Sequence, residues 1–291
     1  MDVPAEKSRL AWQPLTPRGA AAFARASWRR LFAVQLAFAL LASATVAWSL
    51  HHAWLPVCEQ AIRQLPAQGE IRFGKLDWIG ESPARLADSP WLAFSVDLTH
   101  SGQMRSPAHI QVEFGRSDVR IYSLLGFLQE RYPPGWRLAF NRAELEPWWG
   151  AWAPELLACA AAALLAGLLV VWAILATLYS LPAWLIGLFA NRDLSWSASW
   201  RLASAALMPG ALLVTTAVFF YSLGFLDLVQ LTAAVGAHFV IGWVYLVVST
   251  LALPRHPGVP GPDKNPFVRD RPCTPPPTNK LAQSGTKETR S

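Results

Sequence analysis

Histidines, carboxylates and hydroxyls between positions 51 and 118 are the side chains in this chain with the types needed for metal or nucleophile chemistry. His51, His52 and Glu59 lie close in sequence, and His100 and His109 follow, so imidazole nitrogens and a carboxylate suited to a divalent metal are present. None shares an i, i+4 or CxxC-type spacing with another ligand, and no metal site is expected. Ser101, His109 and Asp97 supply the residue types of a hydrolytic triad, but no GxSxG turn presents the serine. The chain also has no P-loop and no GxGxxG, so hydrolase, kinase and nucleotide-binding chemistry find no support and no cofactor is expected. Cys58, Cys159 and Cys273 fall in three different settings and form neither a disulfide framework nor a metal site.

Two further polar residues stand within apolar runs. Gln35 and His238 are expected inside a helix bundle, where an interhelical hydrogen bond is the favoured role and a proton relay or metal ligand the alternative. Met208-Pro209-Gly210 is expected to kink or break its helix at Pro209, freeing a carbonyl that must find a partner.

The elements that carry these residues are apolar and long. Leu31–Leu50, Leu156–Ala190, Leu202–Leu226 and Leu228–Pro254 contain no charge at depth, apart from Asp227 between the last two, and each reaches the roughly 20 residues needed to cross a hydrocarbon core. The expected fold is therefore a membrane α-helical four-span bundle with a small α+β extracytoplasmic domain between spans 1 and 2. Its segments are a basic N-terminal stretch (1–30), spans at 31–50, 154–178, 202–224 and 231–253, the inserted domain (51–150), an interfacial helix (182–190) begun at Pro182, and a disordered Pro-rich tail (255–291).

Charge fixes the expected orientation. Of the 25 Lys and Arg, fifteen fall in the N-terminal stretch, the 191–201 loop and the tail, which places both termini in the cytoplasm by the positive-inside rule. The polar stretch before the first span is too long for a cleaved signal peptide, so an uncleaved signal anchor is expected. Of the fifteen tryptophans, Trp28, Trp48, Trp54, Trp148, Trp149, Trp152, Trp196 and Trp200 border the spans as interfacial anchors do. The net charge of +6 is accounted for by orientation and calls for no nucleic-acid partner.

Within 51–150, helical spacing predicts a helix over His52–Leu65, and period-two alternation predicts strands over Glu70–Ile79, Trp91–Thr99, Ala108–Phe114 and Asp118–Tyr122. A short helix is expected at Ser123–Tyr132, stopped by Pro133-Pro134-Gly135. Small residues four apart, at Ala39-Ser43-Ala47, Ala158-Ala162-Ala166 and Ala206-Gly210, predict close helix packing within the chain or against a second copy.

A first span, then IRFGKLDWI and LAFSVDLT strands, then a bundle containing RLASAALMPGALL: this layout resembles an uncharacterised bacterial family of integral membrane proteins, distantly similar to the Yip family. The resemblance covers about residues 30–253, while the basic N-terminus and Pro-rich tail depart from it. It implies a bacterial inner-membrane protein and carries over no catalytic residue.

The expected function is a non-enzymatic membrane scaffold or sensor whose domain binds an envelope protein or lipid through residues 70–130, with the bilayer as constant partner and a homo-oligomer left open. The alternative is a small transporter or channel subunit with Gln35 and His238 lining a route.

Overall fold

The computed structural model describes residues 13–124 and 126–255. The expected disordered tail and Cys273 lie outside the described residues, as does the start of the basic N-terminal stretch.

The described chain opens with α1 (Pro17–Ala22), whose first turn is closed by the Thr16 hydroxyl accepting from Gly19 N at 3.0 Å and whose proline stands where no N–H is needed. A 3-10 turn, Phe23–Arg25, leads to α2 (Trp28–Ser49), capped by Ser27. A π turn at Leu50–Trp54 then joins α2 to α3 (Leu55–Arg63). There the Leu55 N–H reaches back to Leu50 O, one residue before Pro56, which has no N–H of its own and whose ring would crowd a regular turn. Trp28–Arg63 is thus one helical body of 36 residues.

Eight strands follow: β1 (Gly69–Arg72), β2 (Lys75–Trp78), β3 (Ala84–Asp88), β4 (Leu92–Val96), β5 (Ile110–Phe114), β6 (Asp118–Ser123), β7 (Gly126–Arg131) and β8 (Arg137–Ala139). They form a five-stranded sheet in the order β3-β4-β5-β6-β7, parallel only between β4 and β5, and a three-stranded sheet in the order β2-β1-β8. One face of the larger sheet, with Leu92, Phe94, Val96, Val112 and Phe114, packs with Val57, Ala61 and Leu65 of the α3 segment to make the domain core.

Two readings of this region are corrected. The single strand expected over Glu70–Ile79 is the β1–β2 hairpin, turned at Phe73-Gly74, where both residues have positive φ (49° and 72°) as a two-residue hairpin loop requires. The helix expected over Ser123–Tyr132 is strand β7. Gly126, at φ 127°, turns the chain back so that Ser123 pairs with Gly126 and β7 satisfies its backbone on β6.

The chain then enters α4 (Arg142–Phe189), α5 (Trp196–Ala206), α6 (Met208–Ser222) and α7 (Leu228–Leu251), the last begun by a reciprocal cap in which Asp227 and Gln230 bond each other's backbone N–H. The break expected between a helix at 154–178 and a second at 182–190 is absent: α4 runs unbroken through Pro182 for 48 residues. Pro182 removes the N–H that would bond Leu178 O, and in the turns just before it the Thr177 hydroxyl donates to Ala173 O at 2.8 Å and the Ser180 hydroxyl to Thr177 O at 2.7 Å.

Among the described residues, four helical bodies, Trp28–Arg63, Arg142–Phe189, Trp196–Ser222 and Leu228–Leu251, are long and apolar enough to cross a membrane. Their shared core is built around α5, where alanines alternate with large side chains: Leu202, Ala203 and Ala206 lie with Ala24, Ala183, Met208 and Leu246. The N-terminal stretch contributes to it, since Ala20 and Phe23 are fully buried and pack with Leu31 and Ala205.

The bundle has two distinct ends. At one, Arg25 pairs with Asp193 at 3.0 Å, Arg201 donates to Ala26 O at 2.7 Å and Arg192 to Leu253 O at 2.6 Å. At the other, the Ser222 hydroxyl donates to that of Ser49, Trp48 packs on Phe219, and the sheet domain is seated.

Candidate functional site

The second face of the five-stranded sheet is polar and yet largely buried. Ser95 on β4, Gln111 and Glu113 on β5, and Asp118 at the start of β6 are almost without solvent contact because the loop between β4 and β5 folds over them. Asp97 shapes that loop. Its carboxylate accepts from Thr99 N (3.2 Å), Thr99 Oγ1 (3.2 Å), Ser101 Oγ (2.7 Å) and Gly102 N (3.2 Å), the local side-chain-to-backbone bonding by which aspartate replaces a regular ladder with a turn. Gln111 fastens the far side, accepting from Ser106 N and donating to Met104 O.

His100 is carried on this loop with φ 55° and delivers its ring between two carboxylates. Nδ1 lies 2.5 Å from Glu113 Oε1 and Nε2 lies 3.0 Å from Asp118 Oδ1. Asp118 also accepts from Gln129 Nε2 at 2.5 Å and Arg120 Nε at 3.3 Å. The Glu113 side chain is 1 % exposed, and its Oε2 has no hydrogen-bond partner among the described residues. Space for the ring comes from Gly115, where a Cβ would stand 2.2 Å from His100 Nε2.

Both ring nitrogens must donate to serve both carboxylates, which is the doubly protonated form. Burial works against that charge, but the bonds to Glu113 and Asp118 outweigh it and hold the His100 pKa above its ordinary value. For Asp118, burial is likewise outweighed, by the His100 bond and charge, then Gln129 and Arg120, and its pKa is lowered. The Asp97 pKa is lowered against burial by its Ser101, Thr99 and Gly102 donors.

This arrangement is an ionic clamp. The two imidazole nitrogens point in opposite directions and each is occupied, so the three side chains do not converge on a point where an ion would sit. Among the described residues no group of three or more His, Cys, Asp or Glu is placed to hold a metal ion. Of the residues with triad chemistry, Ser101 and Asp97 come together and His109 does not join them. His51, His52 and Glu59 do not meet as a ligand set either: His52 stacks on Trp48 at 5.2 Å and Glu59 faces Arg63 at 3.7 Å.

His109 sits instead at the joint between sheet and bundle. Its Nδ1 is 2.7 Å from the Tyr221 hydroxyl with the rings stacked, and Trp91 Nε1 donates to Tyr221 O at 3.2 Å. Both contacts fall on the last turn of α6. Tyr221 was not singled out by sequence, since a tyrosine near the end of an apolar run reads as an interfacial anchor.

In the bundle, Gln35 is buried on α2. His238 departs from expectation: its Nδ1 bonds Val235 O, one turn back on its own helix, in place of an interhelical partner. The ring folds back on its own helix and shares the Val235 carbonyl, one turn earlier, with the helix ladder. The residue's backbone makes the interhelical approach, with a Cβ on Gly210 falling 2.7 Å from His238 O. Gln35 and His238 are not brought together, because α2 and α7 share no extended contact. Near Pro209 the helix is interrupted at Leu207, and the proline lies in the first turn of α6, where its missing N–H leaves no carbonyl unpaired. Of the small-residue faces, Ala39, Ser43, Ala206 and Gly210 are buried, whereas Ala158, Ala162 and Ala166 are exposed.

No protein-family model, no curated protein and no solved structure matches the chain.

Proposed function

We propose that this chain is a multi-pass bacterial inner-membrane protein that acts as a non-enzymatic scaffold or sensor, with both termini in the cytoplasm and the sheet domain on the opposite side. The observation that carries the reading is mechanical. Trp28–Arg63 is one helical body whose first part packs in the bundle and whose last part, through Val57 and Ala61, is the floor of the sheet domain. With the Trp91 and His109 contacts to Tyr221, and with Leu145 of α4 packed on the domain core, the domain is held to three helical bodies with no long linker, so what it binds or senses is transmitted to the helices.

Orientation follows from charge. Arg18, Arg25, Arg29, Arg30, Arg192, Arg201 and Arg255 belong to the segments that meet at the end away from the sheet, as the positive-inside rule asks of a cytoplasmic face. An envelope protein or a lipid is the partner class, engaged through residues 70–130.

Gentle extraction and native mass spectrometry test this. A polypeptide or lipid retained at fixed stoichiometry, and lost when exposed Phe73 and Ile79 are changed to Ser, supports recognition. A bare protein that moves solute across liposomes, with the flux abolished in His238→Ala, would establish transport instead.

A further inference from the structure

Leu92, Ile110, Ser123 and Gly126 lie in one row across β4, β5, β6 and β7, fixed by the pairings Leu92–Ile110, Ile110–Ser123 and Ser123–Gly126. Their immediate neighbours Trp91 and His109 touch Tyr221 at the end of α6, so this row marks the edge of the sheet nearest the bundle. The β6–β7 turn projects beyond that row. It stands about 7 Å to the side of β5, since it joins β6, one inter-strand spacing away, to β7, two spacings away.

The turn is apolar and uncovered: Leu124 is 62 %, Phe127 66 % and Leu128 60 % exposed. Charge is graded along the hairpin. No charged residue occurs from Ile121 to Leu128, whereas Asp118, Arg120, Glu130 and Arg131 gather at the other end, beside the His100 clamp. The grading runs along the direction from the far end of the sheet toward the spans, with the apolar end on the spans' side, which is the order a surface dipping into a bilayer needs.

We infer that the β6–β7 turn inserts into the bilayer leaflet on the sheet side, with Leu124, Phe127 and Leu128 among the lipid headgroups and upper acyl chains. The inference rests on the proposed membrane reading and deepens it by naming lipid as the partner of this surface. The hairpin then sets the height and tilt of the sheet over the membrane, and leaves the β1–β2 turn with Phe73, placed away from the bundle-side row, as the surface open to a water-borne partner.

The test is spin labelling of the full chain in lipid nanodiscs, with single cysteines at Phe127, Leu128, Phe73 and Val170 in a background where Cys58, Cys159 and Cys273 are serine. All four positions are exposed, so labelling does not disturb a core. Accessibility to dissolved oxygen is compared with that to a water-soluble nickel chelate. The expected result is a shift to oxygen-favoured accessibility at Phe127 and Leu128, as at Val170 in α4, with Phe73 nickel-favoured. Nickel-favoured labels at Phe127 and Leu128 beside an oxygen-favoured Val170 would overturn the hairpin inference alone, and a nickel-favoured Val170 would overturn the membrane reading beneath it. Spin–spin broadening between copies at Phe127 or Leu128 would place a second copy on the turn and also overturn the inference.

Discussion

His109 and Tyr221 are 112 positions apart in sequence, yet their side chains are joined by a 2.7 Å contact between imidazole Nδ1 and phenolic oxygen, with ring centroids 5.4 Å apart. This pair ties the start of β5 to the end of α6. Tyr221→Phe keeps the stacking and removes the bond, at a cost of about 1 kcal/mol for a part-buried neutral hydrogen bond. Faster amide exchange is expected through Ser89–Ile110 and the last turn of α6, with the rest of the sheet unchanged. Equal exchange in variant and parent would show that the joint does not hold the domain.

The His100 clamp makes the domain's stability depend on pH in a direction that can be worked out. A raised folded pKa means that the histidine's contribution is complete below its unfolded value, ordinarily about 6.5, and is lost as pH climbs through the folded value. Asp97 and Asp118, with lowered pKa values, contribute above the unfolded carboxylate range and lose that contribution as pH falls through their folded values. His100→Asn tolerates the left-handed backbone and abolishes the charge. It should cost roughly 3 kcal/mol, the lower end for breaking a buried ion pair, because Arg120 and Gln129 still serve Asp118. Thermal midpoints measured from acid to alkaline pH should lose their alkaline decline in the variant, keep the acid limb due to Asp97, and show a smaller part from Asp118. An alkaline slope identical to the parent's would rule the clamp out as its source.

Gly115→Ala should reproduce that phenotype without touching the histidine. The added methyl would sit 2.2 Å from His100 Nε2 and 2.4 Å from Cε1, so the ring must leave its place between Glu113 and Asp118. In a double-mutant cycle the two substitutions are expected to be strongly non-additive, the pair being little worse than His100→Asn alone. Additive losses would mean that Gly115 matters for its backbone and not for the room it gives the ring.

Much of the architecture is readable because membrane-length apolar runs and period-two strands are local signals. The positions of β4, β5 and β6 follow from alternation, and the apolar helices from length. Where two local signals compete, the reading fails: Leu124, Leu125, Leu128 and Tyr132 recur at helical spacing, and only pairing with β6 makes the segment a strand. Thr16-Pro17 before an Ala-rich run is a helix start written in the sequence, and α1 begins there. The clamp was not legible at all. It draws His100 from a loop, Glu113 from β5, Asp118 from β6 and Gln129 from β7, and a glutamate on a polar strand face looks the same whether water or a folded loop covers it.

The close approach of α6 and α7 gives the sharpest contrast within the bundle. At Gly210 a Cβ would lie 2.7 Å from His238 O and 3.3 Å from His238 Cβ, so Gly210→Ala must push the helices apart, an overpacking cost of about 1–3 kcal/mol. Gly167 on α4 and Gly236 on α7 have nothing within 4 Å of the same position, and alanine there should be neutral or stabilising by roughly 0.5–1 kcal/mol through helix propensity alone. His238→Ala removes a ring that bonds only its own helix and leaves the backbone carbonyl facing Gly210 in place, so it should change stability far less than Gly210→Ala does. Thermal midpoints of the variants in one detergent decide the matter. If Gly210→Ala behaves like Gly236→Ala, the α6–α7 contact is looser than its geometry, and the backbone of His238 is not what α6 packs against.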